Sequence, residues 1–188
     1  MPKRRAETIR KAALINATIH EIGRTGSLDV TVAQIARRAG MSSALAHHYF
    51  GSKDQIFLAA MRAILRTYGQ SVRDALPGRG RHGRLTAIVE ASFAPVNFRR
   101  ETISAWVNFY ALALTNSEAA RLLRVYHRRL RSNLVFALQG LVKDPEAVAD
   151  TLGALIDGVS LRVVLTSGPA DAAAARRMID TYLIEILA

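Results

Sequence analysis

Apolar side chains recur every three to four residues along most of the chain, the spacing of one buried face of an α-helix. The clearest short case is a set of four residues: Val32, Ile35, Ala36 and Ala39. No segment alternates apolar and polar residues convincingly over the length of a strand. The pattern therefore predicts an all-α fold of about nine helices.

Capping residues and breakers set the predicted limits of these helices. Thr31 with Gln34, and Ser52 with Gln55, form capping-box patterns, in which each side chain bonds the other residue's backbone amide. Gly26 follows the first helix as a stop signal. The predicted helices are Ala6–Arg24, one capped by Thr31, Ser43–Phe50, one from the Ser52 cap to Leu76, Arg84–Ala94, Glu101–Leu114, Ser117–Val142, Pro145–Thr166 and Ala170–Leu187.

The clearest interruption is a basic, glycine-rich loop at residues 77–83. It separates an N-terminal domain at residues 1–54, extended by a connecting helix at 55–76, from a second domain at 77–188. A second interruption, Ser167-Gly-Pro169, divides the last two helices. The predicted order is thus a small N-terminal head followed by a larger helical domain.

Residues 31–53 are the most informative segment, because they predict two short helices joined at Gly40 with a third helix starting just beyond. This is the layout of a helix-turn-helix, which places its second helix in the major groove of DNA. Ala46 and Phe50, four residues apart, are predicted to face inward. Ser43, Ala44 and His47 are then expected on the DNA side.

Several residue types in this region suit contacts with DNA. Hydroxyl and imidazole groups bond base edges or phosphates, and small apolar side chains pack on thymine methyl groups. Helix starts and basic side chains suit phosphates, and the basic run near the N-terminus can follow the backbone or enter the minor groove. The predicted DNA-binding residues are Lys3, Arg4, Arg5, Thr31, Ser42, Ser43, Ala44, Leu45, His47, His48, Tyr49 and Lys53.

Charge supports a polyanionic partner. The net charge is +11, and residues 1–54 carry nine basic and four acidic side chains, about twice the net charge density of the remainder. The chain has no cysteine, no apolar run long enough for a membrane span and no signal-peptide core, which favours a cytoplasmic protein. A helical protein whose basic face binds a membrane surface or a partner non-specifically remains the alternative.

The helix-turn-helix segment resembles that of the TetR family of transcriptional repressors. The matching residues are Thr31, Ile35-Ala36, Ala39-Gly-Met-Ser42, Tyr49-Phe50, Lys53 and Ile56-Phe57. The resemblance implies a homodimer that binds a palindromic operator, a small-molecule inducer bound by the C-terminal domain, and a dimer interface formed by Pro145–Thr166 and Ala170–Leu187. The sequence departs from the family pattern at Ala44-Leu-Ala-His47, where many members have Gly-Thr-Leu-Tyr. His47 therefore replaces the tyrosine that contacts a phosphate in those members, and Tyr49 can take over part of that role.

Further stretches resemble the branch of this family that responds to choline and represses glycine betaine synthesis. They include Ala105-Trp106, Arg128-Arg-Leu130, Ala154-Leu-Ile-Asp-Gly158 and Leu161-Arg162. A quaternary ammonium ion donates no hydrogen bond and is held by aromatic faces, sometimes with a carboxylate. The predicted ligand-binding residues are Phe93, Trp106, Phe109, Tyr110, Tyr126 and Asp157.

Other interpretations of these residues stay open. The aromatic side chains are also what an ordinary core contains, and Asp157 can instead pair with Arg162 or with an arginine of a partner chain. Ser160 stands where sequences of the choline-responsive branch tend to carry tryptophan, which leaves room for another cationic or an apolar ligand.

Nothing in the sequence predicts catalysis, a metal site or a cofactor. The histidines are scattered, and no set of histidine and carboxylate residues has the spacing of metal ligands. No phosphate-binding glycine loop or nucleophile elbow occurs. The arginine-rich stretch from Arg121 to Arg131 is interpreted as a solvated helix face or an interface contact.

Overall fold

A computed structural model describes residues 2–76, 78–166 and 171–187. The described residues form nine α-helices and no β-strand, which confirms the predicted all-α class. The helices are α1 (Pro2–Thr25), α2 (Val32–Arg38), α3 (Ser43–Phe50), α4 (Lys53–Ala75), α5 (Arg81–Ser92), α6 (Arg100–Ala113), α7 (Ser117–Leu138), α8 (Pro145–Leu165) and α9 (Ala172–Leu187).

The capping residues form the helix starts that their spacing predicts. The Thr31 hydroxyl accepts from the Gln34 amide at 3.2 Å, and the Gln34 side chain accepts from the Thr31 amide at 2.7 Å. Ser42 and Ser52 cap α3 and α4 with one bond each, from the amides of Leu45 and Gln55 at 3.2 Å. The predicted capping box at Ser52 is only half formed, because the Ser52 amide bonds the Phe50 carbonyl and the Gln55 side chain donates to Glu118. Gly40 takes φ +67° in the turn, a conformation that costs a glycine little.

Three predicted limits differ from the structure by three residues or more. Helix α1 begins at Pro2 rather than Ala6, because proline is tolerated in a first helical turn and nothing before Ala6 interrupts the helix. Helix α5 begins at Arg81 rather than Arg84. Helix α7 ends at Leu138 rather than Val142, because Gly140 adopts φ +76° and turns the chain.

Other limits fall on undescribed residues. Three predicted features lie outside the described residues: the proline that opens the predicted 77–83 loop, the interruption at 167–169 and the predicted helix start at Ala170.

The first hydrophobic core joins the head to the rest of the chain. It is centred on Leu14, Ile35 and Ile56 of α1, α2 and α4, and it continues into Phe109 of α6 and Ala119 of α7. These side chains are essentially inaccessible to solvent. The head therefore does not close its core with α1–α4 alone.

Helices α1 and α6 approach each other unusually closely. A Cβ atom added to Gly23 would lie 2.4 Å from the Cβ atom and 2.5 Å from the Cα atom of Glu101. Along the same contact, Asn108 donates to the Gly26 carbonyl at 3.1 Å. Glycine is thus required on α1 at this crossing.

A second core lies between α4, α5, α7, α8 and α9. Its inaccessible side chains include Leu85, Leu134, Leu152 and Ile179. Within the described part of the chain, no helix has both the length and the apolar character needed to cross a membrane.

Candidate DNA-binding surface and ligand cavity

Helix α3 presents the predicted faces. Ala46 is fully buried against α2 and α4, whereas Ala44 and His47 are exposed. Ser43 and Leu45 are half-buried, and Phe50 packs partly against the head core. The exposed side of α3 is therefore short and carries few bulky groups.

His47 is oriented by its own helix end. Its Nδ1 atom lies 3.0 Å from the carbonyl oxygen of Gly51. Since a carbonyl only accepts, Nδ1 carries the proton, and in the neutral ring Nε2 is left as an acceptor. An exposed acceptor at this position suits a base amino group.

The hydroxyl groups of Thr31 and Ser42 serve the backbone. Each caps its helix, and Thr31 also donates to Gln34 at 3.0 Å. Lys53, at the first turn of α4, lies with its Nζ atom 5.4 Å from the Phe57 ring centre and is half-buried. The hydroxyls of Thr31 and Ser42 are thus used within the protein. What these residues bring to the predicted DNA side is the N-terminal ends of helices.

The basic residues near the N-terminus belong to α1 instead of an extended arm. Arg4 and Arg5 are exposed in its first turns, and the side chain of Lys3 lies outside the described residues. His48 is exposed, whereas Tyr49 packs partly against the core with Lys11 Nζ 5.7 Å from its ring centre.

A buried carboxylate fixes α2 against α1. Glu21 accepts from Arg24 at 2.9 Å and also pairs with Arg38 of α2. Its side chain is only 6 % exposed. The bond from Arg38, reinforced by Arg24, holds the pKa of the Glu21 carboxyl below its usual value.

A cavity of about 180 Å³ lies in the C-terminal part, between α4, α6, α7 and α8. Trp106 and Tyr110 of α6, Tyr126 of α7 and Asp157 of α8 all line it. The Trp106 ring centre lies 4.7 Å from that of Tyr126 and 5.8 Å from that of Tyr110. Four of the six residues predicted to bind a ligand thus meet around one space.

Asp157 is the only charged residue in the cavity wall, within the described part of the chain. The imidazole of His127 lies beside it, with Nε2 3.5 Å from Oδ2 of Asp157. Burial, followed by the negative charge of Asp157, raises the pKa values of the Tyr110 and Tyr126 hydroxyls well above their usual range. Both phenols therefore remain neutral donors beside the carboxylate.

Family comparisons cover both parts of the chain. The profile described as bacterial regulatory proteins, tetR family, matches residues 14–60, and that described as BetI-type transcriptional repressor, C-terminal, matches residues 81–188. The chain belongs to the TetR family and has a BetI-type C-terminal domain.

Curated relatives agree over nearly the full length. The transcriptional regulator BetI of Brucella canis is 47 % identical over 97 % of this chain and 94 % of its own. That of Agrobacterium fabrum is 44 % identical, with coverage of 97 % and 90 %. TetR-family proteins are DNA-binding repressors that respond to small ligands and act as dimers, not enzymes.

Solved structures share the fold. A transcriptional regulator from Rhodococcus sp. Rha1 superimposes with a TM-score of 0.84 at 22 % identity, covering 94 % of this chain and 95 % of its own. A regulator from Saccharomonospora viridis, solved in complex with choline, gives a TM-score of 0.78 at 21 % identity, with coverage of 93 % and 95 %.

Two predicted ligand residues lie away from the cavity of this TetR-family chain. Phe109 is 1 % exposed in the core shared with the head, and Phe93 packs edge-on against Phe98, with ring centres 5.3 Å apart. Phe109 lies about 100° from Tyr110 around α6, so it faces α1 and α4 instead of the cavity. Both phenylalanines contribute to cores here.

Tyr68 and the polar residues Ser92 and Asn97 also line the cavity, although they were not among the predicted ligand-binding residues. The Tyr68 hydroxyl lies 3.3 Å from Ser92 Oγ, and burial raises the pKa of Tyr68 to about 12. Tyr68 follows the buried residue Ile64 by one helical turn, and that spacing was the available signal. Ser160 also lines the cavity, with its hydroxyl donating to the Ile156 carbonyl at 2.8 Å.

Among the described residues, no group of three histidine, aspartate or glutamate side chains is placed to hold a metal ion.

Proposed function

We propose that this TetR-family protein represses genes for the conversion of choline to glycine betaine and leaves its operator when choline binds. The observation that carries the proposal is the cavity in which Trp106, Tyr110 and Tyr126 surround a space beside Asp157. The name of the curated relatives and the choline bound to the Saccharomonospora viridis regulator support the same ligand.

The chemistry of the wall matches a quaternary ammonium ion. Such a cation cannot donate a hydrogen bond and is attracted to the electron-rich faces of aromatic rings, worth about 0.5–2 kcal/mol each according to exposure. A carboxylate at the edge adds a charge of opposite sign. The neutral tyrosine hydroxyls also offer partners to the hydroxyl group of choline.

Operator binding is assigned to the head. We expect Ser43, Ala44, Leu45 and His47 on α3 to face bases, and the other predicted residues to contact phosphates: Lys3, Arg4, Arg5, Thr31, Ser42, His48, Tyr49 and Lys53. Acting on DNA, the protein works in the cytoplasm.

A homodimer through the last two helices supplies two heads for a palindromic operator. Support comes from large apolar side chains that α8 and α9 leave exposed in one protomer. Leu165 is 73 % exposed, Met178 49 % and Ile184 73 %. Leu165 lies one helical turn after Leu161, which is 41 % exposed, so the two share an apolar face of α8 that another protein surface can cover.

Helix α6 offers the route from ligand to operator. Trp106 and Tyr110 face the cavity, while Ser104 and Asn108 bond the carbonyls of Ile22 and Gly26 at 3.5 and 3.1 Å. A ligand that shifts α6 therefore shifts α1. In a dimer this changes the distance between heads, which must match successive major grooves about 34–36 Å apart.

Calorimetry tests the ligand. Choline is expected to bind the wild-type protein, and Trp106→Ala is expected to bind it at least about tenfold more weakly. Phe136→Leu, which alters an aromatic side chain outside the cavity wall, is the matched control and should bind as wild type. An unchanged choline affinity in Trp106→Ala would remove the cavity from the proposal.

Ser160 in the cavity wall leaves more room than a tryptophan would at this position. This favours a second candidate inducer, either another organic cation or an apolar molecule. Betaine aldehyde and unrelated amines belong in the same titration series, together with an apolar alcohol. A TetR-type repressor with a different inducer is indicated if one of these binds more tightly than choline.

Anisotropy with promoter DNA from upstream of its own gene tests the head. Promoter DNA is expected to bind more tightly than scrambled DNA at moderate salt. Lys53→Ala should weaken binding to all sequences and flatten the salt dependence, whereas His47→Ala should change base preference. Equal affinity for both DNAs would instead favour the non-specific basic protein.

A further inference from the structure

We propose that His127 determines which ligand charge the cavity accepts, because its protonation decides whether Asp157 is available to a cation. This inference rests on the proposed binding of an organic cation in the same cavity. Neutral His127 leaves the negative charge of the Asp157 carboxylate uncancelled, so that this charge can attract the ligand. Protonated His127 pairs with the carboxylate and cancels its charge.

The imidazole of His127 lies against the Asp157 carboxylate. Its Nε2 atom lies 3.5 Å from Oδ2 of Asp157, a distance at which protonation creates a direct ion pair. The ring stacks on Tyr110 at 6.2 Å and 25°, and its centre lies 5.3 Å from that of Tyr126. His127 thus contacts the carboxylate and two aromatic residues of the cavity wall without itself lining the cavity.

Exposure places His127 on the solvent side of this group. Its side chain is 48 % exposed and that of Asp157 is 30 % exposed. Histidine is the side chain type that can be either neutral or cationic near neutral pH, and water reaches the exposed half of this ring. One side of the Asp157 carboxylate therefore faces the cavity, and the other side faces His127.

The other ionisable groups around His127 do not replace this pair. Tyr110 from α6 and Tyr126 from α7 are neutral phenols at these pH values. On α7 itself, Arg124 and Arg131 lie one turn away on either side, and Arg131 is engaged by Glu146 and Asp150 of α8. Asp157 is the carboxylate that α8 brings to His127.

The consequence is a change in selectivity. With neutral His127, the cavity wall carries one negative charge and favours an organic cation. With protonated His127, the pair is neutral overall, and a charged ligand has no advantage over an uncharged ligand of the same shape. By linkage, a bound cation also opposes protonation of His127.

Calorimetry at about pH 8 and about pH 5.5, with two ligands of matched shape, tests this. Choline and its uncharged isostere, in which a tert-butyl group replaces the trimethylammonium group, bind the same space. We expect acid to weaken choline binding to the wild-type protein about fivefold, the effect of losing one partly exposed charge pair. The isostere should bind equally at both pH values.

Variants isolate the histidine. His127→Gln should bind choline with an affinity that changes less than about twofold between the two pH values, and His127→Lys should bind it weakly at both. His82→Gln, a change outside the cavity and the Asp157 contacts, should keep the wild-type pH dependence. Thermal melts show whether each variant is folded.

Each other outcome overturns the inference. One such outcome is a choline affinity that depends on pH equally in the wild type and in His127→Gln. Another is an affinity for the uncharged isostere that falls in acid as much as the affinity for choline does. If choline fails to bind the folded wild-type protein even at about pH 8, the proposed function fails as well, which separates the two failures.

Discussion

The head and the cavity are built in different ways. In the head, polar side chains bond to groups three or four residues away: Thr31 to Gln34, Ser42 to Leu45 and His47 to Gly51. The cavity instead gathers Tyr68, Trp106, Tyr126 and Asp157 from four helices. Local bonds define the helix starts of the head, and tertiary packing defines the cavity.

The two regions share α6. Its Phe109 completes the core of the head, while Trp106, one turn earlier, lines the cavity. A single helix therefore contributes to both sites, and changes along it should separate stability from ligand binding.

Phe109→Ala is expected to have the largest effect, a loss of about 3–5 kcal/mol in the free energy of unfolding, because it empties a site with 1 % exposure. Trp106→Ala should destabilise the protein less, since Trp106 is only half-buried, and should affect choline binding more. Denaturant unfolding and calorimetry on both variants measure the separation. A stable Phe109→Ala protein that has lost choline would move Phe109 into the cavity wall.

Gly23→Ala should cost about 1–3 kcal/mol, because the new methyl group would collide with the backbone and side chain of Glu101 across the α1–α6 contact. Gly153→Ala is the matched control in another helix, where the added atom meets only a leucine methyl at 4.0 Å. That variant should be neutral or stabilised by up to about 1 kcal/mol. Thermal denaturation of the two variants compares them. Similar stability in both would contradict a close α1–α6 approach.

Glu21→Gln should cost about 1–3 kcal/mol at neutral pH, because the change weakens the charged bonds from Arg38 and Arg24 to a buried group. The lowered pKa of Glu21 means that its contribution is present above the usual carboxyl value of 4.5 and is lost as pH falls below it. Urea unfolding from about pH 7 to about pH 3 should therefore show the wild type and the variant converging. A constant difference across that range would contradict the assignment.

Ser42→Ala gives the smallest expected loss, about 1 kcal/mol, because it removes the cap of α3. Ser43→Ala, the next residue and the first of the helix, should change stability by less than about 0.5 kcal/mol. If base contacts come from Ser43 rather than Ser42, only Ser43→Ala should alter preference among operator sequences. Melting curves and operator competition assays distinguish the two serines.

Much of the head could be predicted because its signals are local. The starts of α2, α3 and α4 follow from Thr31, Ser42 and Ser52, each of which bonds a backbone amide within its own turn. The predicted start of α1 was wrong because no capping pattern marks Pro2. The helix includes this first turn because no residue before Ala6 interrupts it.

The cavity could be predicted only in part. Trp106 and Tyr110 share a face by their spacing of four residues, which the sequence shows directly. Phe109 is also close in sequence, but packing against α1 and α4 decides its side. Tyr68 and His127 have no local pattern that connects them to Asp157, since only folding brings α4, α7 and α8 together around the cavity.

Release of operator DNA by choline tests the account most directly. Anisotropy of labelled promoter DNA, titrated with choline, is expected to show loss of binding with wild-type protein. Trp106→Ala should bind the same DNA with wild-type affinity and fail to release it at the same choline concentration. Release of DNA from the Trp106→Ala protein at the wild-type choline concentration would contradict the assignment of this cavity to the inducer.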